Sequence, residues 1–178
     1  MASGLNRHFI EQLRTFTSFE AIGPSALRSQ GRAGVLRVAQ DHCASLDLRS
    51  FGAAANEAKY LEMMDKATKK LEGSLYWGSA RKALNLYLRS CLYNHYLRRE
   101  FRLRQVEPFM EIPLDSIVAR GLRRMAGRRI LPQWPNLKWL TPEVSKEYQE
   151  FAKREARKVG LARVHLDVFI WTEGRVSK

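Results

Sequence analysis

Lys82 is the residue whose type and position most clearly suggest covalent chemistry in this sequence. It lies near the start of the stretch GSLYWGSARKALNLYLRSCLYNHY, whose apolar residues recur at helical spacing and predict an amphipathic helix from Ala80 to about Leu97. A lysine in the first turn of a helix opposes the helix dipole, and together with partial burial this favours the neutral amine. The neutral amine is a nucleophile, whereas the ammonium ion is not. The alternative for Lys82, taken alone, is a solvated lysine next to Arg81.

Two further places in the chain carry side chains with potential chemical roles. Asp115 follows the Ile-Pro-Leu sequence at 112–114 and stands at the start of a predicted helix, so that taken alone it can equally be an N-cap. Asp167 and Trp171 are one helical turn apart near the C-terminus and therefore lie on one helix face. The alternative for this pair is a tryptophan in the core and an aspartate in a salt bridge with a nearby arginine.

The charge of the chain favours a nucleic-acid partner. The 178 residues include 31 Lys and Arg against 18 Asp and Glu, which gives a formal net charge of +13 and a pI near 10.2. A pI above about 9 is typical of nucleic-acid-binding domains, and the arginines lie beside turns and helix ends rather than in one amphipathic, membrane-binding segment. With 45% hydrophobic residues, a chain of this length can fold as one domain, residues 1–178, with a sizeable core.

The cysteines and histidines give no indication of a metal or cofactor, and we expect none. Cys43 and Cys91 are too few for a zinc site or a four-cysteine iron–sulfur cluster, and the four histidines lack metal-ligand spacing. Both cysteines are interpreted as small core residues in a reducing compartment. Because no apolar run has the length of a transmembrane helix or the pattern of a signal peptide, the sequence predicts a soluble cytoplasmic protein. We expect a monomer, associated with the nucleoid if the source is a bacterium or an archaeon.

Helical periodicity recurs along the chain, and no segment shows the clean alternation typical of a strand. We therefore predict an all-α fold. The predicted helices are Leu5–Phe19, Asn56–Glu72, Ala80–Leu97, Asp115–Met125, a helix opened by Thr141-Pro142 and stopped by Gly160, and Leu161–Glu173. The last of these is apolar on most sides and is expected to be buried.

Two strings resemble the two halves of the catalytic signature of the helix-hairpin-helix DNA glycosylases. The first is GSARKALNLYL around Lys82, and the second is IPLDSIVARGLRRMAG around Asp115. The positions that match the family pattern are Gly78, Arg81, Lys82, Asn85 and Leu88 in the first string, and Pro113, Asp115, Val118, Arg120 and Gly127 in the second. The glycine-rich hairpin of the family is reduced here to the residues 75–80, and the Thr-His that follows the family's aspartate is replaced by Ser116-Ile117.

The resemblance implies a compact, two-lobed helical bundle around a cleft that holds Lys82 and Asp115. In this family the lysine forms a Schiff base with the deoxyribose, and the aspartate is its acidic partner. The implied activity is that of a DNA repair-type glycosylase with AP lyase activity, acting on a damaged or modified base in duplex DNA.

A third match extends the resemblance to the base pocket. The string LDVFIW is similar to the last helix of the archaeal 8-oxoguanine glycosylases, which implies that Asp167 binds a base edge and that Trp171 packs on the base. We also expect Trp77 to line the pocket or wedge into the duplex. The residues expected to contact DNA are Gly78, Arg81, Arg120, Arg123 and Arg124, with Arg128 and Arg129 in the same cluster.

Several alternatives stay open at this stage. An oxidised purine is the first expectation for the base, followed by a pyrimidine lesion or a bulky modification. The main alternative function is a non-catalytic, basic helical protein that binds DNA or RNA, and a weaker one is a helical adaptor for protein partners. The enzyme hypothesis requires Lys82 and Asp115 to share one cleft, whereas the binding hypotheses do not.

Overall fold

The computed structural model describes residues 2–30, 34–127 and 129–176, and all regular secondary structure in these ranges is helical, which confirms the prediction of an all-α fold. The α-helices are α1 (Ala2–Ala21), α2 (Val35–Ala44), α3 (Leu48–Gly52), α4 (Glu57–Leu71), α5 (Trp77–Tyr93), α6 (His95–Glu100), α7 (Ser116–Ala126), α8 (Pro142–Lys158) and α9 (Leu166–Val176). Short 3-10 helices occupy Pro24–Gln30, Leu103–Gln105, Glu107–Phe109 and Arg163–His165. Within the described ranges, no helix combines the length and the apolar character that crossing a membrane requires.

Three helix starts are set by side-chain caps that the sequence makes recognisable. Asn56 and Thr141 cap α4 and α8, each accepting a hydrogen bond from the backbone N–H three residues on, at 2.9 and 3.4 Å. Asp115 Oδ1 caps α7 by accepting the backbone N–H groups of residues 117 and 118, both at 2.9 Å. Because a cap satisfies amides that have no partner within the helix, these starts can be predicted locally.

The helix predicted from Ala80 to about Leu97 is two helices in the structure. Asn94 leaves the helical conformation (φ −77°, ψ 119°), and its Oδ1 caps α6 by accepting the N–H groups of residues 96 and 97. In addition, α5 begins earlier than predicted, at Trp77. Lys82 is therefore in the second turn of α5, where the helix dipole acts on it less than expected, because that effect falls off within the first turn.

The first hydrophobic cluster is built around α5, which contacts α1, α2 and α4. Its buried members from α5 are Ala80, Ala83, Leu84, Tyr87, Leu88, Cys91 and Leu92. Burial raises the pKa of the Cys91 thiol to about 12 and also raises the pKa of Cys43, which lies on α2. Both cysteines are free and buried, so they are unreactive core residues, as expected.

The second hydrophobic cluster joins α7, α8 and α9. Its buried members include Leu114, Val118, Ala119, Leu122, Tyr148, Phe151, Ala152, Leu166 and Ile170. Gly121 allows α9 to lie close to α7, because a Cβ at this position would be 2.4 Å from Ile170 Cγ2. Val168 and Phe169 on α9 are 46% and 54% exposed, so the expectation of a buried last helix is wrong for that face.

A buried ion pair ties the first cluster to the segment that leads into the second. Arg81 on α5 donates to Glu111 through Nε at 2.6 Å and Nη2 at 3.1 Å, and Asn85 Nδ2 donates to the same carboxylate at 3.1 Å. Burial raises the pKa of Glu111, but the Arg81 guanidinium outweighs this effect and holds the pKa below its ordinary value. Because Glu111 is followed within four residues by Asp115, the pair fixes where that aspartate meets α5.

Candidate active site

A cavity of about 970 Å³ is lined by residues that pack against both hydrophobic clusters. One wall is a face of α5, on which Lys82, Leu86, Arg89 and Tyr93 follow one another at helical spacing. The remaining wall residues come from the end of α1 and the turn after it, the segment 113–117, the loop 134–137, and α9. The cavity is thus assembled from parts of the chain that are far apart in sequence.

Lys82 and Asp115 meet in this cavity. Lys82 Nζ lies 3.4 Å from Asp115 Oδ2, and the two side chains are only 9% and 13% exposed. The cap of α7 occupies Asp115 Oδ1, which leaves Oδ2 for the amine. A helix N-terminus favours a negative charge at this position, so the N-cap and the acidic partner of a lysine are compatible roles for one carboxylate.

Asp167 and Trp171 line the same cavity from α9. Asp167 is 1% exposed, and its Oδ2 forms an ion pair with Arg89 of α5. Its Oδ1 is buried and has no hydrogen-bond partner among the described residues. Trp171 is half-buried and packs against the second cluster while it faces the cavity. Asp167 therefore forms the salt bridge that was its alternative role and also lies in the cavity wall.

Trp77 and Arg81 lie elsewhere, which corrects the expectations that they contact the base and the DNA. Trp77 is five residues before Lys82, about 140° around the helix, and its ring packs over the Arg81 guanidinium at 5.8 Å. Arg81 is 5% exposed, and its donors are taken by Glu111 and by Asp65, which accepts from Nη1 at 2.8 Å. A guanidinium buried in this way is not available to a DNA phosphate.

Gly78 is also not at a DNA-facing surface in the structure. It is buried beneath the loop that precedes α8, and a Cβ at this position would lie 2.5 Å from the carbonyl oxygen of Leu137 and 2.8 Å from Leu140 Cβ. The glycine is needed for this close approach of loop and helix. The expected contact between Gly78 and a phosphate is therefore corrected.

Arg120, Arg123 and Arg124 are exposed on α7, on the helix whose first residues line the cavity. Arg129 is exposed as well, whereas Arg128 lies outside the described residues. That these side chains contact DNA stays a prediction.

If α7 contacts DNA as the sequence predicts, replacing Arg120, Arg123 and Arg124 together by alanine should weaken DNA binding equally for all sequences. The slope of log K against log salt should become shallower by about 0.9 for each phosphate contact that is lost. The matched control replaces Lys66, Lys69 and Lys70 on α4, which removes the same charge from a helix that does not line the cavity. Titrations by fluorescence anisotropy at several salt concentrations measure the salt slope of each variant. An equal change of slope in the two variants would contradict a DNA-binding role of α7.

Two cavity residues, Arg89 and Tyr93, were not predicted from the sequence. They follow Lys82 by seven and eleven residues, and this spacing on one helix is a signal that would have found them. Trp134 also lines the cavity, and its ring packs edge-on against Tyr148 with centroids 5.5 Å apart. Its position depends on the path of a loop with three prolines, which local sequence patterns do not determine.

Comparisons of the chain with protein-family models, with curated proteins and with solved structures give no match. Among the described residues, no group of three or more His, Cys, Asp or Glu side chains is arranged to hold a metal ion. The site is therefore described by its own geometry, in which the buried Lys82 amino group and the Asp115 carboxylate share one cavity.

Proposed function

We propose that this protein is a DNA glycosylase with AP lyase activity, of the helix-hairpin-helix type. It would flip a damaged or modified base out of duplex DNA and excise it. The observation that carries the proposal is the 3.4 Å separation of Lys82 Nζ and Asp115 Oδ2 inside a cavity. The two hydrophobic clusters that flank this cavity support the two-lobed arrangement expected for that superfamily.

The reaction assigns a distinct task to each of the two residues. Breaking an N-glycosidic bond develops positive charge on the deoxyribose, which the Asp115 carboxylate stabilises. Once its ammonium group has lost a proton to solvent, Lys82 attacks C1′ as a free amine while the C1′–N bond breaks. The electron pair of that bond leaves with the base, which takes up the proton that the newly bonded Lys82 nitrogen releases. The sugar ring then opens to an imine on Lys82 Nζ. Loss of a proton from C2′ expels the 3′-phosphate and cleaves the strand.

The surroundings of the pair suit this chemistry. Removal from water strengthens the interaction between the carboxylate and a developing positive charge. The volume of about 970 Å³ accommodates a flipped nucleotide, which this class of enzyme must take out of the base stack. The net charge of +13 and the exposed arginines of α7 favour binding of the duplex backbone.

Trp171→Ala is expected to slow excision of a base more than it slows cleavage at a preformed abasic site. Trp171 lines the cavity but is not part of the amine–carboxylate pair, so its loss should affect only the substrate that carries a base. Removal of a base-stacking aromatic should cost about 1–3 kcal/mol on the excision step. Single-turnover rates on the two duplexes measure the difference, and equal losses on both would show that Trp171 has only a packing role.

Incubation with a duplex that carries one abasic site tests the proposed function. Strand cleavage that leaves an unsaturated aldehyde at the 3′ end is expected, without added metal or cofactor. Tight, salt-sensitive binding with no cleavage would instead support the alternative of a non-catalytic DNA- or RNA-binding protein, for which the net charge of +13 is the favouring observation.

A further inference from the structure

The cavity is larger than a single nucleobase requires. Its α5 wall extends from Lys82 to Tyr93, a distance of about 16 Å along the helix axis at 1.5 Å per residue. Cavities of about 300–1,000 Å³ generally hold drug-sized ligands, and this one has about 970 Å³. A base held by its sugar at Lys82 would leave the Tyr93 end of the cavity, defined here by Arg89, Tyr93, Asp167 and Val168, largely free.

Hydrogen-bonding groups at the Tyr93 end are held in fixed positions. Tyr93 Oη lies 3.0 Å from His165 Nδ1, and His165 Nε2 lies 3.0 Å from Glu107 Oε1. In the neutral imidazole, Nε2–H donates to the carboxylate, and Nδ1 then accepts the Tyr93 O–H. The lone pairs of the phenol oxygen are then available to a donor in the cavity. Tyr93 is 47% exposed, so a ligand can reach it.

The charges at this end balance. The Arg89 guanidinium forms an ion pair with Asp167 Oδ2, while Asp167 Oδ1 is a buried acceptor without a partner among the described residues. Arg89 disfavours a cationic ligand, and Asp167 disfavours an anionic one. A neutral group that can both donate and accept hydrogen bonds suits this combination, whereas an alkyl group would displace water from the accessible polar atoms of Arg89 and Tyr93 without replacing its hydrogen bonds.

We propose that the excised base carries a bulky, neutral, hydroxyl-rich substituent, such as a sugar, which occupies the Tyr93 end. This inference rests on the proposed glycosylase function and specifies its substrate class. The hydroxyl groups would donate to Tyr93 Oη and accept from Arg89, and the ring of the substituent would pack against the Tyr93 and Val168 side chains. An oxidised purine without such a substituent would fill only the Lys82 end.

The test compares release of modified pyrimidines from duplex DNA in single-turnover reactions. The panel contains 5-hydroxymethylcytosine, its glucosylated form, and cytosines with alkyl or aminoalkyl groups at C5, together with 8-oxoguanine and an abasic site. We expect the glucosylated base to be released at least about 10-fold faster than the other bases, which is the discrimination that a filled or empty subsite typically provides.

Val168→Trp should fill the Tyr93 end from its exposed position on α9 and lower release of the glucosylated base by about 10-fold or more. Release of the glucosylated base is compared with cleavage at the abasic site by the same variant, and a thermal melting temperature equal to that of the wild type shows that the variant is folded. The matched control is Phe169→Trp, at the next position of α9, which is 54% exposed and does not line the cavity. It should leave both activities unchanged.

The two proposals fail in distinguishable ways. Three results would overturn the inference and leave the glycosylase proposal standing. The first is abasic-site cleavage without release of the glucosylated base, and the second is faster release of another base in the panel. The third is release of the glucosylated base that Val168→Trp does not change. Absence of both base release and abasic-site cleavage, with DNA still bound, would overturn the proposed function and the inference together, whereas base release without strand cleavage would overturn only the lyase part of the proposed function.

Discussion

Lys82→Ala is expected to abolish covalent capture of abasic DNA and to lower the rate of strand cleavage by several orders of magnitude, because no other group can replace a covalent nucleophile. DNA affinity should be nearly unchanged, because Lys82 is 8% exposed and its charge is paired with Asp115. Single-turnover cleavage and anisotropy titrations measure the two quantities separately.

The matched control for Lys82 is Lys138→Ala. Lys138 is an exposed lysine whose Nζ lies over the Trp139 ring at 4.8 Å, outside the cavity. Its removal takes away the same charge and should leave cleavage intact. If Lys82→Ala lowered DNA affinity as much as cleavage, or if its thermal melting showed unfolding, Lys82 would have a structural role instead.

Arg81→Met is expected to lower the free energy of unfolding by about 3–5 kcal/mol, because it leaves the Glu111 carboxylate buried without its cation. Both side chains are nearly inaccessible, at 6% and 7% exposure, so water cannot replace the lost partner. Urea denaturation followed by circular dichroism measures the loss. The double variant Arg81→Met with Glu111→Leu should recover much of it, because no unpaired charge remains. A double variant as unstable as the sum of the two single variants would contradict this explanation.

The effect of Arg81→Met should also depend on pH. In the native protein the pKa of Glu111 is held below its ordinary value, so the pair contributes stability above that ordinary value and loses it as the pH falls through the lowered pKa. In the variant, only Asn85 and Arg163 still oppose the effect of burial, so the pKa of Glu111 is higher than in the native protein and its protonated form is favoured. The deficit of the variant relative to the wild type should therefore be larger at pH 7 than in acid.

Local signals in the sequence sufficed for the helical fold and for several helix boundaries. The caps Asn56, Asp115 and Thr141 act on amides within three residues, so they can be recognised without knowledge of tertiary structure. The helix break at Asn94 is also set by a local cap. Apolar residues nevertheless continue at helical spacing across this position, so their periodicity predicted one helix instead of two.

The site itself was only partly accessible to sequence reasoning. The motif resemblance suggested Lys82 and Asp115. Trp77 lay outside the helix predicted from Ala80, and only the observed start of α5 at Trp77 places it about 140° from Lys82 around the helix. Arg81 could not be assigned, because its partner Glu111 is thirty residues away and only the fold brings the two together. The covering of Gly78 by the loop at 137–140 likewise depends on tertiary packing.

Borohydride trapping on a duplex with a single abasic site, followed by peptide mapping of the adduct, tests the central claim most directly. Reduction of the imine should fix the DNA covalently to the protein, and the mapped attachment should be Lys82 Nζ, which lies 3.4 Å from Asp115 Oδ2. An adduct on Lys82 that disappears in Lys82→Ala is the predicted result. No adduct, or an adduct on another lysine that persists in Lys82→Ala, would contradict the assignment of this cavity as the active site of a DNA glycosylase with lyase activity.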